Sequence, residues 1–383
     1  MRLTRRQFAK GSAAALASAG SLSWAVSALG KPADAAALLK DAEQLYPELT
    51  VIDFVSSVSP DAEGVQIVKN CGITCFSPTL GVRRPDAPGE GTYMLRAFPM
   101  EAAIEDCVAT REFIEQFPDD LVLALNTADI TQAKRDGKAA ILINFQNAPI
   151  GDRLDNIDMF YGLGLRSMQV TYNERNLLGD GATERTNAGL SDFGIAAVRR
   201  MNELGILVDS SHSGYQTTMD AIKFSERTPI ISHSNCAALN PHPRAKTDEQ
   251  IQALAAKGGV MGITNVNIMV KKDLPVTIEH YIDHIDHVVK LVGVNHVGFG
   301  SDSAMSGWDT DPEKEDLYMN VYYGPHLFKD TYGFRYPLAV EGMNDEYKWK
   351  SVTAGLLKRG YSDTDIRKIV GGNWLRVFSE VID

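Results

Sequence analysis

The sequence predicts a (β/α)8 TIM barrel, an α/β fold in which eight parallel strands alternate with helices. Eight short apolar runs recur along the chain, and amphipathic helical stretches separate most of them. Polar side chains follow several of the runs directly, as in a barrel whose active site lies at the carboxyl ends of its strands. The 383 residues, 44% of them hydrophobic, are enough for one core of that size.

The first four predicted strands have the length and composition of buried strands. They cover residues 49–54, 74–78, 138–144 and 165–171. Residues 100–116 and 126–136 carry apolar side chains at helical spacing and are predicted as helices between the second and third strands. A Gly- and Pro-rich stretch over residues 81–93 precedes these helices. It is long for an ordered loop, and loops of that length are often functional.

The last four predicted strands complete the alternation. They cover residues 206–209, 230–232, 260–264 and 296–300. Amphipathic helices are predicted over residues 193–204, 248–257 and 278–292. No internal repeat or low-complexity linker interrupts the pattern, so the sequence predicts a single domain over residues 38–383.

The amino terminus resembles an export signal. Residues 4–10 contain the pair Arg5 and Arg6, and residues 11–30 form a weakly apolar segment rich in Ala, Ser and Gly. A twin-arginine-type signal peptide over residues 1–30, cleaved between Ala28 and Ala37, would deliver a periplasmic or secreted protein with no stable membrane span. A single transmembrane anchor is the alternative, and the abundance of small residues argues against it.

Charge and cysteine content narrow the partners and the chemistry. The formal net charge of −11 argues against nucleic acid and anionic membrane surfaces as partners. Export would permit disulfides, but a core this large does not require them. Cys71 and Cys75 lack partners for a CxxxC metal site and are predicted to be buried free thiols. Cys236 is expected to pack beside the active site.

Two histidines mark the predicted active site. His212 follows the fifth strand and His233 follows the sixth, 21 residues later, which is the length of one strand–helix–strand unit. Neighbouring parallel strands would bring both imidazoles to the same edge of the sheet, where they could share a metal ion. A histidine satisfied within the core is the ordinary interpretation of either residue alone. Their equivalent positions favour the metal.

Other polar residues follow the remaining strands. Gln146 follows the third strand, and Tyr172 and Asn173, predicted to contact substrate, follow the fourth. Asp302 follows the eighth and is predicted to ligate a metal or to accept a proton from the attacking water, with a cap or turn residue as the alternative. Arg244 lies in the loop after the sixth strand. Its guanidinium suits a substrate carboxylate, and a solvated loop charge is the alternative.

His280, His284 and His287 form a second group of histidines. Their spacings of four and three place them on one face of a predicted helix. Zinc binding is conceivable there. The acidic residues interleaved with them favour a solvated outer helix instead.

Several segments resemble the renal or membrane dipeptidases of the amidohydrolase superfamily, in particular a bacterial, exported branch. The resemblance covers residues 51–378. The segments that carry it are residues 171–181, 201–205, 232–235, 298–302 and the C-terminal Gly-Gly-Asn-Trp-Leu-Arg-Val-Phe at residues 371–378. The resemblance implies a (β/α)8 fold and a binuclear zinc site that hydrolyses dipeptides.

The resemblance also implies roles for individual residues. The two histidines of the family's second zinc fall on His212 and His233, and its proton-shuttling aspartate falls on Asp302. The arginine that binds the substrate carboxylate falls on Arg244. The histidine that polarises the scissile carbonyl aligns with Tyr172, which is therefore a catalytic candidate.

Three positions depart from the family pattern. Val55 and Ser57 stand where the family's first-strand His-x-Asp ligates the first zinc, and Gln146 stands for its bridging glutamate. Valine cannot coordinate a metal, and neutral serine or glutamine is a weaker ligand than a carboxylate. A reduced site with one zinc is therefore predicted, held by His212 and His233, with the carbonyl oxygen of Gln146 and the Asp302 carboxylate as further candidate ligands.

Two functions remain open on the sequence alone. One is an exported metallohydrolase that cleaves a dipeptide or similar small amide with one zinc, with Asp302 taking a proton and Arg244 holding a carboxylate. The other is a dipeptidase-like pseudoenzyme that binds or tailors small peptides without hydrolysing them. The replaced ligands favour the second function, and the retained groups favour the first. Assembly as a homodimer is left open.

Overall fold

The computed structural model describes residues 32–80, 99–308, 338 and 340–383. Short parallel strands make up its sheets. In chain order they are β1 Ile52–Asp53, β2 Ser56–Ser57, β3 Cys75–Phe76, β4 Leu121–Leu123, β5 Ala139–Ile141, β6 Ile143–Phe145, β7 Leu165–Gln169, β8 Leu207–Asp209, β9 Ile230–Ser234, β10 Val260–Ile263, β11 Val297–Phe299 and β12 Ser303–Ala304.

Helices connect most of the strands and surround the sheet. They are α1 Pro32–Leu45, α2 Ala62–Cys71, α3 Met100–Gln116, α4 Thr127–Asp136, α5 Asp155–Gly162, α6 Asp192–Leu204, α7 Tyr215–Phe224, α8 Asp248–Ala256, α9 Asn267–Val270, α10 Ile278–Val292, α11 Lys348–Lys358, α12 Asp363–Arg367 and α13 Asn373–Val381. Single 3-10 turns cover Tyr46–Glu48 and Val294–His296, and a π-helical turn covers Lys368–Gly372.

Local sequence sets where these helices begin and end. At the start of α4, the Asn126 side chain accepts from the Asp129 amide at 3.0 Å, and the Asp129 carboxylate accepts from the Asn126 amide at 3.1 Å. This reciprocal capping box satisfies N–H groups that the first helical turn leaves unpaired. The helix ends at Gly137, whose φ of +70° is a left-handed conformation that glycine adopts at little cost.

The strand pairing forms a closed ring. β1 pairs in parallel with β3 on one side and β11 on the other, and β11, β10, β9, β8, β7 and β6 follow as successive neighbours. β5 pairs with β3, and only Leu142 separates β5 from β6. Because β5 and β6 are two halves of one strand, the order returns to its start. The predicted (β/α)8 barrel is confirmed.

The third predicted strand differs in detail from the prediction. Residues 138–144 were expected to form one strand, whereas β5 and β6 break at Leu142 and extend to Phe145. β5 lies between β3 and β4, and β6 pairs with β7, so the two halves have different neighbours. The short strands β2, β4 and β12 were not predicted.

The C-terminal helix α13 closes the amino ends of the strands. Trp374 is fully buried there, packs on Phe54 at 4.9 Å between ring centroids, and donates its indole N–H to the Phe299 carbonyl at 2.9 Å. Leu207 and Val260, the first residues of β8 and β10, belong to the same apolar cluster. Truncating a buried Trp typically costs about 3–5 kcal/mol. The carboxyl ends of the strands are thus left for the polar residues.

The prediction that Cys71 and Cys75 are buried free thiols is confirmed. Cys71, Cys75, Cys107 and Cys236 are all buried free thiols. Within the described residues, none of the helices is both long and apolar enough to cross a membrane. The predicted signal peptide over residues 1–30 and the predicted loop over residues 81–93 lie outside the described part of the chain.

Candidate active site

The structure brings His212 and His233 together at the carboxyl ends of β8 and β9. These strands are parallel neighbours, paired through Asp209 and Ile230. The two imidazole Nε2 atoms are 2.9 Å apart, and the rings cross at 65°. Both side chains are buried, with exposed fractions of 2% and 0%. A sequence separation of 21 residues therefore becomes direct contact.

The environment of His212 fixes its tautomer. Its Nδ1 lies 2.7 Å from the side-chain oxygen of Asn173, which can only accept, so Nδ1 carries the proton. The Tyr172 ring stacks on the imidazole at 4.0 Å between centroids, with 19° between the planes. Both predicted substrate-contact residues thus touch His212. Nε2 is left as the atom with a lone pair.

A serine and an aspartate fix His233 in the same way. The Ser232 hydroxyl donates to the Asp209 carboxylate at 2.5 Å and lies 2.8 Å from His233 Nδ1. Because that hydroxyl proton points at Asp209, His233 Nδ1 must be the donor to Ser232. The lone pair of His233 is therefore also on Nε2.

The two lone pairs consequently face each other across 2.9 Å. Lone pairs at that distance repel unless a proton or a cation lies between them. Burial, and then the charges of Arg244 and Lys246, hold the pKa of His233 well below its usual range, which disfavours the proton there. Tetrahedral zinc ligands at 2.0–2.1 Å lie about 3.3 Å from each other, close to the observed separation. The pair is suited to hold a metal ion.

Asp209 connects the two histidine-bearing strands. Its fully buried carboxylate accepts from the amide and hydroxyl of Ser211, at 3.0 and 2.8 Å, and from the amide and hydroxyl of Ser232, at 3.0 and 2.5 Å. Burial raises its pKa, and these hydrogen bonds act in the opposite direction. The carboxylate holds in register the residues that precede His212 and His233.

Asp302 lies near the same Nε2 atom of His233 that faces His212. Its Oδ2 is 3.9 Å from His233 Nε2, and its side chain keeps 24% of its surface exposed. Burial raises its pKa to about 6, against the lowering effects of the Arg244 charge and a hydrogen bond from Gln146. A carboxyl group with that pKa can accept and release a proton near neutral pH.

Arg244 is used in a way that the sequence did not predict. It is 3% exposed, and its Nε and Nη2 donate to the main-chain carbonyls of Ser211 and His233, each at 3.2 Å. The expected alternative, a solvated loop charge, is wrong. Two of its five N–H groups connect the histidine-bearing segments, and the cation lies within the site.

Three positions of the site carry uncharged side chains, those of Val55, Ser57 and Gln146. Val55 is fully buried, and its φ of +68° is exceptional for a β-branched residue. Ser57 is in β2, which pairs with β12, and β12 begins directly after Asp302. The Gln146 amide donates to Thr79 at 3.1 Å as well as to Asp302. These are the residues that the family resemblance aligns with the first zinc and the bridging ligand.

The His280, His284 and His287 group does not form a metal site. His280 contacts Lys271, and His287 contacts Asp248 at 2.7 Å. His284 is 1% exposed, accepts from the Cys236 amide at 3.1 Å and donates to the Val270 carbonyl at 2.8 Å. The expectation of a wholly solvated helix is wrong at His284, which is a buried bridge.

Over the described ranges, nowhere do three or more His, Cys, Asp or Glu side chains converge as a metal-binding group. Among the described residues, the histidine pair is suited to hold an ion whose remaining ligands would be water or neutral oxygen. The sequence singled out both histidines. It missed Asp209, Ser211 and Ser232, although the Asp-Ser-Ser-His order at residues 209–212 was a signal available to find them.

Comparison with known proteins decides the family. The family model described as membrane dipeptidase (Peptidase family M19) matches residues 74–316 and 333–383. The chain is 31% identical to dipeptidase verJ of Clonostachys rogersoniana over 294 residues, which cover 74% of this chain and 68% of verJ. The chain belongs to the membrane dipeptidase family. The predicted family and the prediction of a hydrolase-type enzyme are confirmed at that level.

Two further relatives agree with this membership. Dipeptidase tcpJ of Claviceps purpurea (strain 20.1) is 30% identical over 277 residues, 71% of this chain and 58% of tcpJ. The crystal structure of an amidohydrolase from Pseudomonas aeruginosa superposes with a TM-score of 0.76 and 30% identity, over 89% of this chain and 98% of that one. Peptidases of this M19 family are in general zinc-dependent.

Proposed function

We propose that this chain is an exported metallohydrolase that cleaves the amide bond of a dipeptide or similar small amide with one zinc ion. The observation that carries the proposal is the convergence of His212 and His233, whose Nε2 lone pairs face each other at 2.9 Å. Membership of the dipeptidase family supports a small-peptide substrate. His212 and His233 would hold the ion, which supplies Lewis-acid activation of water and carbonyl.

The protein's own groups supply the proton transfer and the binding. Asp302 accepts a proton from the attacking water at its carboxylate, which has a pKa of about 6, and returns it to the leaving amine. Arg244 uses two N–H groups on main-chain carbonyls and keeps others for a substrate carboxylate. Tyr172, which stacks on His212, would contact the scissile amide.

The decisive experiment combines metal analysis with turnover of the purified mature protein. Wild type should contain about one zinc per chain and hydrolyse dipeptides, and His212→Ala and His233→Ala should lose both properties. His287→Ala on α10 is the matched control, since that imidazole contacts Asp248 away from the site. Wild-type protein that binds no zinc and cleaves no dipeptide at any zinc concentration would rule the proposal out.

A second function, small-peptide binding without hydrolysis, is favoured by one observation. Val55 places hydrocarbon where the family resemblance expects a ligand, and no third strong ligand joins the pair among the described residues. Calorimetric titration of dipeptides separates the two functions. Binding without turnover in zinc-loaded protein would establish the second and exclude the first.

Export is the remaining part of the proposal. It rests on the paired Arg5 and Arg6 and the Ala-rich segment that follows. Fractionation of bacterial cells should recover the protein outside the cytoplasm. Arg5→Lys together with Arg6→Lys should retain it inside. Equal export of both forms would contradict a twin-arginine route.

A further inference from the structure

The turn that carries His212 spans residues 210–213, and hydrogen bonds to its main-chain carbonyls fix its position. The Ser210 and Ser213 carbonyls each accept from Lys246 Nζ at 2.9 Å, and the Ser211 carbonyl accepts from Arg244 Nε at 3.2 Å. The His212 carbonyl accepts from the Ala182 amide at 2.8 Å. Two buried cations therefore account for three of the four carbonyls of this turn.

All three N–H donors of the Lys246 ammonium form hydrogen bonds at or beside this turn. Its side chain is 1% exposed, and its third acceptor is the Thr218 hydroxyl at 3.0 Å. An ammonium group has three N–H donors, and each has a partner here. Burial, and then the charge of Arg244, lower the pKa of Lys246 to about 7, and the neighbouring Asp209 carboxylate acts in the opposite direction. Ordinary packing would be served better by an apolar side chain.

The backbone of Lys246 is fixed to the other histidine strand. Its amide donates to the Asn235 carbonyl and its carbonyl accepts from the Ala237 amide, both at 2.8 Å. These residues follow β9 and His233 directly. The lysine therefore connects the segment that carries His233 to the turn that carries His212, across two strands.

We propose that Lys246 is a positioning residue, which fixes the His212 turn relative to β9 and thereby holds the two Nε2 atoms 2.9 Å apart. Its consequence for metal binding rests on the proposed function. Its consequence for the orientation of His212 does not. Removing the ammonium takes one donor from each of three buried acceptors. The Ser210 carbonyl then keeps only the Ser213 amide at 3.2 Å and the Ser213 carbonyl only the Thr218 hydroxyl at 3.3 Å, so the turn relaxes and the Asn173–His212 hydrogen bond loosens.

The test replaces Lys246 with Met, which keeps the length of the side chain and removes the donors. Lys348→Met is the matched control, because that lysine is equally buried and donates to Ser303 and Ala304 with no contact to either histidine. Lys246→Gln, which keeps two donors, takes over if the Met variant does not fold. Thermal unfolding records the general loss of stability in each variant.

The first readout is nitrogen-15 NMR of the histidines, with the His212 Nδ1 proton assigned by its absence in His212→Gln. Lys246→Met should speed exchange of that proton with water by at least about 10-fold, and Lys348→Met should not. An unchanged His212 signal in folded Lys246→Met or Lys246→Gln overturns the proposal. So does an equal effect of Lys348→Met, since that would indicate general loosening.

The second readout is the dissociation constant for zinc, measured by chelator competition. Supporting residues of metal ligands typically contribute 10–100-fold in affinity, and Lys246→Met should weaken binding within that range. A wild type that binds no zinc refutes the proposed function while the NMR readout still decides the role of Lys246. Unchanged zinc affinity with a loosened His212 overturns the metal consequence alone.

Discussion

The main-chain amide of Asp302 donates to the carbonyl of Val55 at 2.8 Å, and both residues have left-handed backbones, with φ of +54° and +68°. The bond connects the carboxyl ends of β1 and β11, the neighbours at which the ring of strands closes. Such conformations cost about 1–3 kcal/mol each and persist where the surroundings enforce them. The strained pair aims the Asp302 carboxylate toward His233.

The strained backbone at Val55 predicts that glycine is tolerated better than alanine there, the reverse of the order at an ordinary buried position. The Val55→Gly variant should be more stable than the Val55→Ala variant by up to about 1 kcal/mol, because glycine adopts a positive φ freely. At Val51, which is equally buried and has no positive φ, Gly should be less stable than Ala by about 0.5–1 kcal/mol. Urea unfolding of the four variants measures both differences. The same order at both positions would show that Val55 is unstrained.

The raised pKa of Asp302 predicts a pH dependence of stability in metal-free protein. Its folded-state pKa of about 6 lies above the ordinary 3.8, so folded protein binds the proton more tightly between those pH values. Stability from this group is therefore present at pH 4 and is lost as pH rises through 6. Relative to wild type, Asp302→Asn should gain about 1–2 kcal/mol between pH 4 and 7, a range that allows for partial exposure.

Denaturant unfolding at pH 4, 5, 6 and 7 measures that gain. Asp41→Asn, at an exposed aspartate on α1, is the control for removing one negative charge. A pH-independent difference between Asp302→Asn and wild type would contradict the raised pKa.

The Ser232 hydroxyl between Asp209 and His233 predicts a loss of metal affinity on its removal. Ser232→Ala should weaken zinc binding about 10–100-fold, because His233 Nδ1 loses the acceptor that fixes its tautomer. Ser232→Thr keeps the hydroxyl and should restore most of the affinity. Ser234→Ala is the matched control on the same strand, since that hydroxyl donates to the Arg244 carbonyl and touches no imidazole. Equal losses in the two alanine variants would refute a specific role for Ser232.

The uncharged side chains of Val55, Ser57 and Gln146 predict that adding ligands there will add a metal ion. Val55→His, Ser57→Asp and Gln146→Glu together should raise zinc content from about one to about two ions per chain and increase dipeptide turnover. The three changes supply an imidazole and two carboxylates at positions that now hold neither. Val55→His alone, with one added ligand, should leave the content near one. Metal analysis of dialysed protein decides, and a triple variant still at one ion shows that ligand identity is not the only barrier.

The sequence by itself determined the alternation of strands and helices and the family. Strand and helix periods are local properties, and the apolar runs are long enough to be read at most positions. It also placed His212, His233 and Asp302 at strand ends, because parallel neighbours in a barrel share one edge. The short strands β2, β4 and β12 were not predicted from the sequence.

Only the tertiary structure decided which atoms meet. The contact of His212 with Asn173 joins residues 39 apart, and that of Ser301 with Asp53 joins residues 248 apart. Such contacts exist because the ring of strands closes, and no local pattern encodes them. Closure fixes the imidazole tautomers, buries Arg244 and Lys246 against main-chain carbonyls, and forces Val55 into a left-handed backbone. The sequence predicted that the two histidines lie at the site. Their contacts in the closed barrel determine that both Nε2 lone pairs face each other.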